Sequence, residues 1–592
     1  MAGGAVGVIL LFSATSSHAD DPAVLPSREA PHCVALPHWN ESDAPAEREA
    51  MNSLQASLRA RMLGGAAPQS LRPVRAKGSA HLLVILAEFA AKPHRINASR
   101  FQTLLFGPSN SVASYYNAAS EGDFELTGDI YGWVDLPGNQ AYYSANQGGI
   151  GIYPQNGQKM AEDAVQAAIA QGLQLGDYDA DGDDFVDALL VIHSGQGLEW
   201  CASSNNTPQP DLSAINSHKW VVQQQAYSGQ GVKVGEYFTC PELQIIRSTI
   251  SPGWADSIST IGVYCHEFGH IMGLPDMYDV ETGDARIGVW DLMDSGSWNP
   301  ISSFSLAPGA SPCEFSAWSK MFLDWVEPEV LAPKVGEVHN SSETLYSLAL
   351  GNQPLQLLEN TGGVDWASSS QPGRGEFFLA ELRSRIGFDG GLPDSGVLVY
   401  HVDESRFSNR SSDNPDGGGL IVLVPQDAVI GLSLSDSRGD PWPGFQDELN
   451  EESNPSSRRF NGTPSGITLS SIDVHSGSPE SATLNVSITN LDPMPQFPFA
   501  RPNPWNTRQT SQAEIVLHNL NQQAAQGTSV SIHDLAGRVL HVLDDGDLTQ
   551  DRRIALWNGM DQTGKVVPAG IYFYRVDEPG QPARTGRIIL LR

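Results

Sequence analysis

Apolar positions along the 592-residue chain change their spacing several times, and each change marks an element or a boundary. Ala5 to Phe12 is an apolar run followed by small residues at Ser17 and Ala19, the pattern of an export signal over residues 1–19 cleaved after Ala19. No Lys or Arg precedes that run, a departure from the usual signal. Met51, Leu54, Leu58 and Met62 then recur at helical spacing until Gly64-Gly65, and a basic stretch from Arg72 to Lys77 follows. A helix with an exposed tether suits a removable propeptide over residues 20–79, although a plain N-terminal helix has the same pattern. From His81 to Phe89 the apolar residues become continuous, as in a strand buried on both faces, and a new domain begins there.

The segment 80–330 mixes both periods. Ser111 to Tyr116 predicts a helix, Phe124 to Val134 predicts strands, and Phe185 to His193 predicts another strand. An aromatic-rich stretch, Phe315 to Trp325, closes it. Residues 331–490 then alternate in short strands such as Phe377 to Leu382 and Val397 to Val402, separated by Gly, Pro, Asn and Ser, which predicts a β-sandwich. A Pro-rich linker from Pro493 to Pro504 leads into a last all-β unit, so that residues 491–592 form a linker and a C-terminal β domain.

Chemistry concentrates between Cys265 and Asp294. His266 and His270 are four residues apart, which on a helix puts both imidazoles on one face, and Glu267 lies beside the open coordination position. Hydrolytic zinc keeps three protein ligands and a water, so a third ligand must come from beyond the helix. Gly273 and Pro275 supply a stop and a turn, and Asp276 is the expected ligand, with Asp279 as the alternative carboxylate. Met293, in Trp290 to Asp294, predicts a methionine turn that floors the metal without ligating it. Cys265 beside His266 reads as a buried inert thiol, and His193 and His401 within strands read as core histidines.

Asp177, Asp179, Asp181 and Asp183 alternate, with Gly182 at the sharp turn, as in the first half of a calcium loop. The twelfth-position Glu of an EF-hand is replaced by Ala188, and Asp187 is the expected closing ligand. Composition supports an exported, cation-binding chain: 35 basic against 68 acidic residues give a net charge of -33, which argues against nucleic acid and anionic membranes as partners. No apolar run elsewhere is long enough to span a bilayer. The five cysteines, Cys33, Cys201, Cys240, Cys265 and Cys313, leave at least one thiol outside any disulfide; Cys201 with Cys240 is the candidate pair, and Cys33 is a candidate zinc cap in a latent form.

These blocks, in this order, resemble the immune inhibitor A family of secreted zinc metalloproteases across roughly residues 80–480. They include Leu82 to Phe89, Ser114-Tyr115-Tyr116, the acidic loop, Ser217-His218-Lys219-Trp220, His266 to Asp279, Trp290 to Trp298, and Gly387-Phe388-Asp389 with Leu392-Pro393. The resemblance implies Asp276 as third ligand, structural calcium, and a companion sandwich. The fold class expected is therefore multidomain: an α+β zincin/metzincin-like catalytic domain, a β-sandwich, and a C-terminal immunoglobulin-like β domain. That last unit is similar to secretion-sorting tails of bacterial exported proteins, through Asn503-Pro504-Trp505-Asn506, Ile532 to Arg538, Trp557-Asn558-Gly559 and Gly570 to Arg575. In such tails the unit engages secretion machinery or the cell surface.

The expected function is a secreted or surface-attached zinc endopeptidase acting on proteins or peptides, with Glu267 as general base. Metzincin-like sites often place a Tyr just past the methionine turn, where this chain has Asp294 and Ser295, so His218 and Tyr278 are the candidates for steadying the oxyanion. The competing reading is a non-catalytic adhesin on a protease-like scaffold, distinguished by whether chelator-sensitive proteolysis exists.

Overall fold

The computed structural model describes residues 76–591, with breaks at 199–212, 248–253, 281–283, 301–306, 335, 352, 359–363, 368–371, 412, 415, 431–435, 478–479, 491–498, 502–504, 508–511, 517–528, 536, 544–553 and 578–582. The predicted signal and propeptide helix, Cys33 and Cys201 lie outside the described residues, as does most of the Pro-rich linker. Contacts divide the rest into two compact units that meet in sequence at Thr489 and Asn490.

The first unit opens with a mixed sheet. Its strands are β1 (Gly78–Glu88), β2 (Phe124–Asp135), β3 (Leu189–Gln196), β4 (His218–Val221), β5 (Glu236–Arg247) and β6 (Trp254–Ile258), ordered β2-β1-β3-β5-β4 with β6 also on β5. β2, β1, β3 and β5 pair in parallel, while β4 and β6 run antiparallel to β5. Alternate side chains of a strand point to opposite faces, and β1 uses both. Leu82, Val84 and Leu86 enter one core with helices α1 (Ala98–Phe106) and α2 (Val112–Ala119); Leu83, Ile85 and Ala87 enter another with Met160, Ala161, Ala164, Val165 and Ala168. Those five lie on one face of a long helix; with α3 (Gln140–Ser144) preceding it, that helix is α4 (Gly157–Ala170). Burial on both sides is why the strand reads as an unbroken apolar run, and each of its buried Leu, Val and Ile side chains contributes about 1.5–3 kcal/mol.

The helix that carries the histidine pair, α5 (Ile261–Ile271), packs on the first of these faces, where Phe268 and Tyr116 meet edge to face with ring centroids 4.9 Å apart. Its residues are buried all round. After α6 (Ala317–Phe322) come β7 (Glu329–Leu331), β8 (Val338–Tyr346), β9 (Leu355–Leu357), β10 (Glu376–Arg383), β11 (Gly396–Asp403), β12 (Ile421–Leu423), β13 (Glu448–Leu449), β14 (Ile467–His475) and β15 (Ser481–Thr489). They form two sheets, β12-β11-β10-β9-β7 and β13-β14-β15-β8. Phe378, Tyr400, Ile467 and Val486 from these sheets share one continuous core with Phe268, Trp290 and Trp318.

The second unit also has two sheets. β16 (Phe499–Arg501), β18 (Ala513–Val516) and β21 (Ile554–Trp557) form one; β17 (Trp505–Asn506), β23 (Arg584–Leu591), β22 (Gly570–Asp577), β19 (Ser529–His533) and β20 (Val539–Leu543) form the other. Its core joins Ile515, Ile532 and Ile588 to the fully buried Trp505 and Trp557, whose ring centroids are 5.7 Å apart. Among the described residues of the chain, no helix is long and apolar enough to cross a membrane.

Candidate metal centre

Helix α5 ends as its sequence predicts. Gly273 takes φ +98°, its N–H donates to His270 O at 3.1 Å, and the Leu274 N–H donates to Gly269 O at 3.1 Å, the paired bonds of a Schellman stop. A side chain at Gly273 would be strained in that left-handed conformation. The reversal brings the carbonyl of Leu274 to within 2.8 Å of His270 Nδ1 and carries Asp276 back towards the helix.

Three ligand atoms converge there. His266 Nε2 and His270 Nε2 are 3.2 Å apart, and Asp276 Oδ1 lies 3.2 Å from the first and 3.3 Å from the second. Zinc binds nitrogen and oxygen at about 2.0–2.1 Å, and tetrahedral ligands are then about 3.3–3.4 Å apart, so the triangle has the dimensions of three corners around one zinc ion. The remaining ring nitrogens face carbonyls, His266 Nδ1 at 2.9 Å from Leu292 O and His270 Nδ1 at 2.8 Å from Leu274 O. A carbonyl only accepts, so each Nδ1 carries a proton and donates, and each Nε2 is the ring atom turned to the carboxylate oxygen. Asp276 Oδ1 is buried with no hydrogen-bond partner. Two imidazole nitrogens and an anionic oxygen converging at these distances suit a cation, and the residues fit zinc on that ground.

Electrostatics agree for the carboxylate. Burial pushes Asp276 up, but His270 and His266 outweigh it and hold the carboxyl well below the usual range, in the charged form a ligand needs. Burial drives His270 down against the pull of Asp276, whereas His266 is raised to about 9 because Asp276 and Glu267 outweigh the burial of its ring. Burial likewise raises the Cys265 thiol well above its ordinary value, as an inert core thiol requires.

Met293 packs against helix α5 at Gly269. It is fully buried, its Sδ would stand 2.6 Å from a Cβ placed on Gly269, and its carbonyl accepts the Met277 N–H at 2.8 Å. Asp279, the alternative ligand, is outside the triangle: its Oδ2 accepts from Ser411 N at 3.0 Å, from Arg286 Nη2 at 3.3 Å, and from Ser411 Oγ. Glu267 is buried on α5 beside His266. Tyr278 is buried two residues beyond Asp276. His218 is engaged elsewhere, with Nδ1 2.8 Å from Asn216 O and Nε2 2.8 Å from Tyr237 Oη.

In the acidic loop, ligand atoms of Asp179, Asp181 and Asp187 lie within 4.8 Å of one another. Asp177 and Asp183 are not in that group. Asp183 is buried and turned to its own loop, its Oδ1 accepting from Phe185 N at 3.0 Å. Asp187 is raised by burial and by the carboxylates of Asp181 and Asp179. His193 and His401 are core histidines; His401 is stacked between Phe378 and Phe460, with centroids 4.2 and 3.7 Å away.

Several residues that hold the site gave a weak local signal or none. Asp294 Oδ2 accepts from the backbone of Arg286, Ile287 and Gly288 at 3.0, 2.9 and 2.9 Å, shaping the loop that ends in Met293. From the following β segment, Arg383 donates to Trp290 O at 2.7 Å, and Asp440 accepts from Trp290 Nε1 at 2.7 Å. An Asp ahead of turn-forming Ser and Gly is a weak turn signal; Arg383 and Asp440 have none.

A buried two-histidine, one-carboxylate centre with an adjacent glutamate is the arrangement of a metallopeptidase. Residues 88–326 match the immune inhibitor A peptidase M6 catalytic domain, the segment that holds the triangle, and the resemblance read from the sequence is thereby shown for it. Immune inhibitor A of Bacillus thuringiensis subsp. alesti is 27% identical over 281 residues, 41% of this chain and 39% of that one. The pre-pro-metalloprotease PrtV of Vibrio cholerae serotype O1 (strain M66-2) is 28% identical over 316 residues, 48% of this chain and 33% of that one. The matched part of the chain thus spans two fifths or less of these relatives. Among solved structures, PorZ of the Porphyromonas gingivalis type-IX secretion system overlaps over 37% of each chain at 14% identity with a TM-score of 0.14, too slight a likeness to carry an argument.

Proposed function

We propose that the chain is a zinc-dependent endopeptidase that hydrolyses protein or peptide substrates at the centre formed by His266, His270 and Asp276. The 3.2–3.3 Å triangle of two Nε2 atoms and one carboxylate oxygen is the observation that supports it. Zinc bound there supplies Lewis acidity towards the scissile carbonyl and lowers the pKa of water. Glu267 takes the water proton as general base and returns it to the leaving amine. Leu292 O and Leu274 O hold the two imidazoles in the tautomer that ligates. The catalytic segment is of the zincin type, with Met293 as its floor.

Three further readings accompany this one. Asp179, Asp181 and Asp187 bind structural calcium, supported by their proximity. The mature protein acts outside the cell or at its surface, in keeping with its acidic charge and the apolar run near its N-terminus. The C-terminal unit, an immunoglobulin-like β domain, engages the secretion machinery or cell surface.

A casein hydrolysis assay with and without chelator tests the main reading. Glu267→Gln is expected to lower the rate by about 10²–10⁴-fold while zinc content stays at that of the wild type. Unchanged proteolysis in this variant, or full activity in chelator, sinks it.

A further inference from the structure

The loop that carries the third ligand is held from two sides. The Met277 N–H, in the peptide that follows Asp276, donates to Met293 O at 2.8 Å within the catalytic segment. The Met277 carbonyl accepts from Asn409 Nδ2 at 2.7 Å, and Asn409 lies 132 residues away in the connection between β11 and β12. Two residues along each chain, Ser411 N reaches the Asp279 carboxylate at 3.0 Å. The two strands of contact run side by side, 277 to 409 and 279 to 411.

Asn409 is built to stay in place. It is buried, and its Oδ1 accepts the Ile421 N–H at 3.0 Å, which fixes which end of the amide faces Met277. Its own loop is braced, since Asn414 Nδ2 donates to Ser408 O and Arg410 O at 2.8 Å each, and the Leu420 N–H reaches Ser408 O at 3.2 Å. Gly419 leaves the room that the amide occupies: a Cβ there would stand 2.4 Å from Asn409 Oδ1. A buried amide with both ends committed, one to the first residue of β12 and one to the backbone next to a metal ligand, does more than fill space.

We propose that Asn409 is a positioning residue for the zinc ligand Asp276, so that the β segment after residue 376 is part of the metal centre and not a separable companion. The proposal rests on the zinc reading above. Outer hydrogen bonds of this kind hold a ligand's orientation and typically change metal affinity by about 10–100-fold when removed. Without the Asn409 bond, the peptide next to Asp276 loses the anchor on its carbonyl side, and the carboxylate oxygen leaves the 3.2–3.3 Å triangle for a broader set of positions.

The test uses the full chain and compares Asn409→Ala with Ser457→Ala, a control in the same β segment whose buried hydroxyl donates to Ile467 O at 2.8 Å. Zinc release into excess chelator and the visible spectrum of the cobalt-substituted protein are both read. Asn409→Ala is expected to speed zinc release by about 10-fold or more and to alter the cobalt band, while Ser457→Ala matches the wild type in both. Gly419→Ala keeps Asn409 in the chain but displaces its amide, and is expected to shift the cobalt band as Asn409→Ala does; it decides the matter if Asn409→Ala does not fold. Wild-type release and an unaltered band in a folded Asn409 or Gly419 variant overturn the proposal, as does an equal change in Ser457→Ala. A wild-type protein that takes up no zinc overturns the functional reading itself, and this proposal with it.

Discussion

His270 Nε2 faces His266 Nε2 at 3.2 Å, and each ring spends its other nitrogen on a carbonyl. Two imidazoles so arranged turn their Nε2 atoms to the same point beside Asp276, where a metal ion can take both. Replacing either histidine by Ala should therefore abolish stoichiometric zinc binding as well as proteolysis. Zinc content after dialysis measures it; a His266→Ala protein that retains one tightly held zinc contradicts the ligand set.

The zinc helix approaches its floor so closely that small residues are obligatory. A Cβ on Gly262 would lie 1.9 Å from Ser297 O and 2.9 Å from Gly309 Cα, both backbone atoms that cannot rotate away. Gly262→Ala should destabilise the first unit by about 1–3 kcal/mol, read as a lower denaturant midpoint at unchanged slope. An unchanged midpoint contradicts the packing described.

His218 sets a pH dependence. Burial lowers its pKa from 6.5 to about 4, so between those values the unfolded chain binds a proton that the folded chain does not. Stability contributed by the neutral ring is present above pH 6.5 and is lost as pH falls towards 4, at about 1.4 kcal/mol per pH unit at most. Unfolding free energy measured across that range should fall less steeply in His218→Gln than in the wild type. Parallel curves would exclude this ring as a source of the slope.

For the acidic loop, removing calcium is expected to lower the melting temperature of the wild type, and Asp181→Asn to reduce that difference. At a free ion concentration about 100 times its Kd, a single site contributes about 2.7 kcal/mol. A melting temperature indifferent to calcium removes the calcium reading and leaves the zinc centre untouched.

What could be read from the sequence follows the range of the interactions. His266, His270, Gly273 and Asp276 fall within 11 residues, and their geometry is set by one helix and its stop, so spacing alone located them. The turn expected at Met293 is likewise a local pattern, and Met293 is buried against Gly269 of that helix. Asp276 was the expected third ligand with Asp279 as the alternative in the same loop; in the structure Asp279 is paired with Ser411 and Arg286, and Asp276 lies beside the two histidines. Asn409, Arg383 and Asp440 reach across 93–150 residues to backbone or ring atoms, and such contacts leave no spacing to detect. His218 was a candidate for steadying the oxyanion; in the structure both its nitrogens face Asn216 O and Tyr237 Oη, contacts that no spacing announces. The continuous run of β1 predicted burial on both faces, and both are filled.

The zinc-edge anomalous signal from crystals of the zinc-loaded protein tests the central claim most directly. One peak is predicted, within about 2.0–2.2 Å of Nε2 of His266, Nε2 of His270 and a carboxylate oxygen of Asp276. A peak ligated by Asp279 in place of Asp276, or the absence of any peak beside the two histidines, would contradict it.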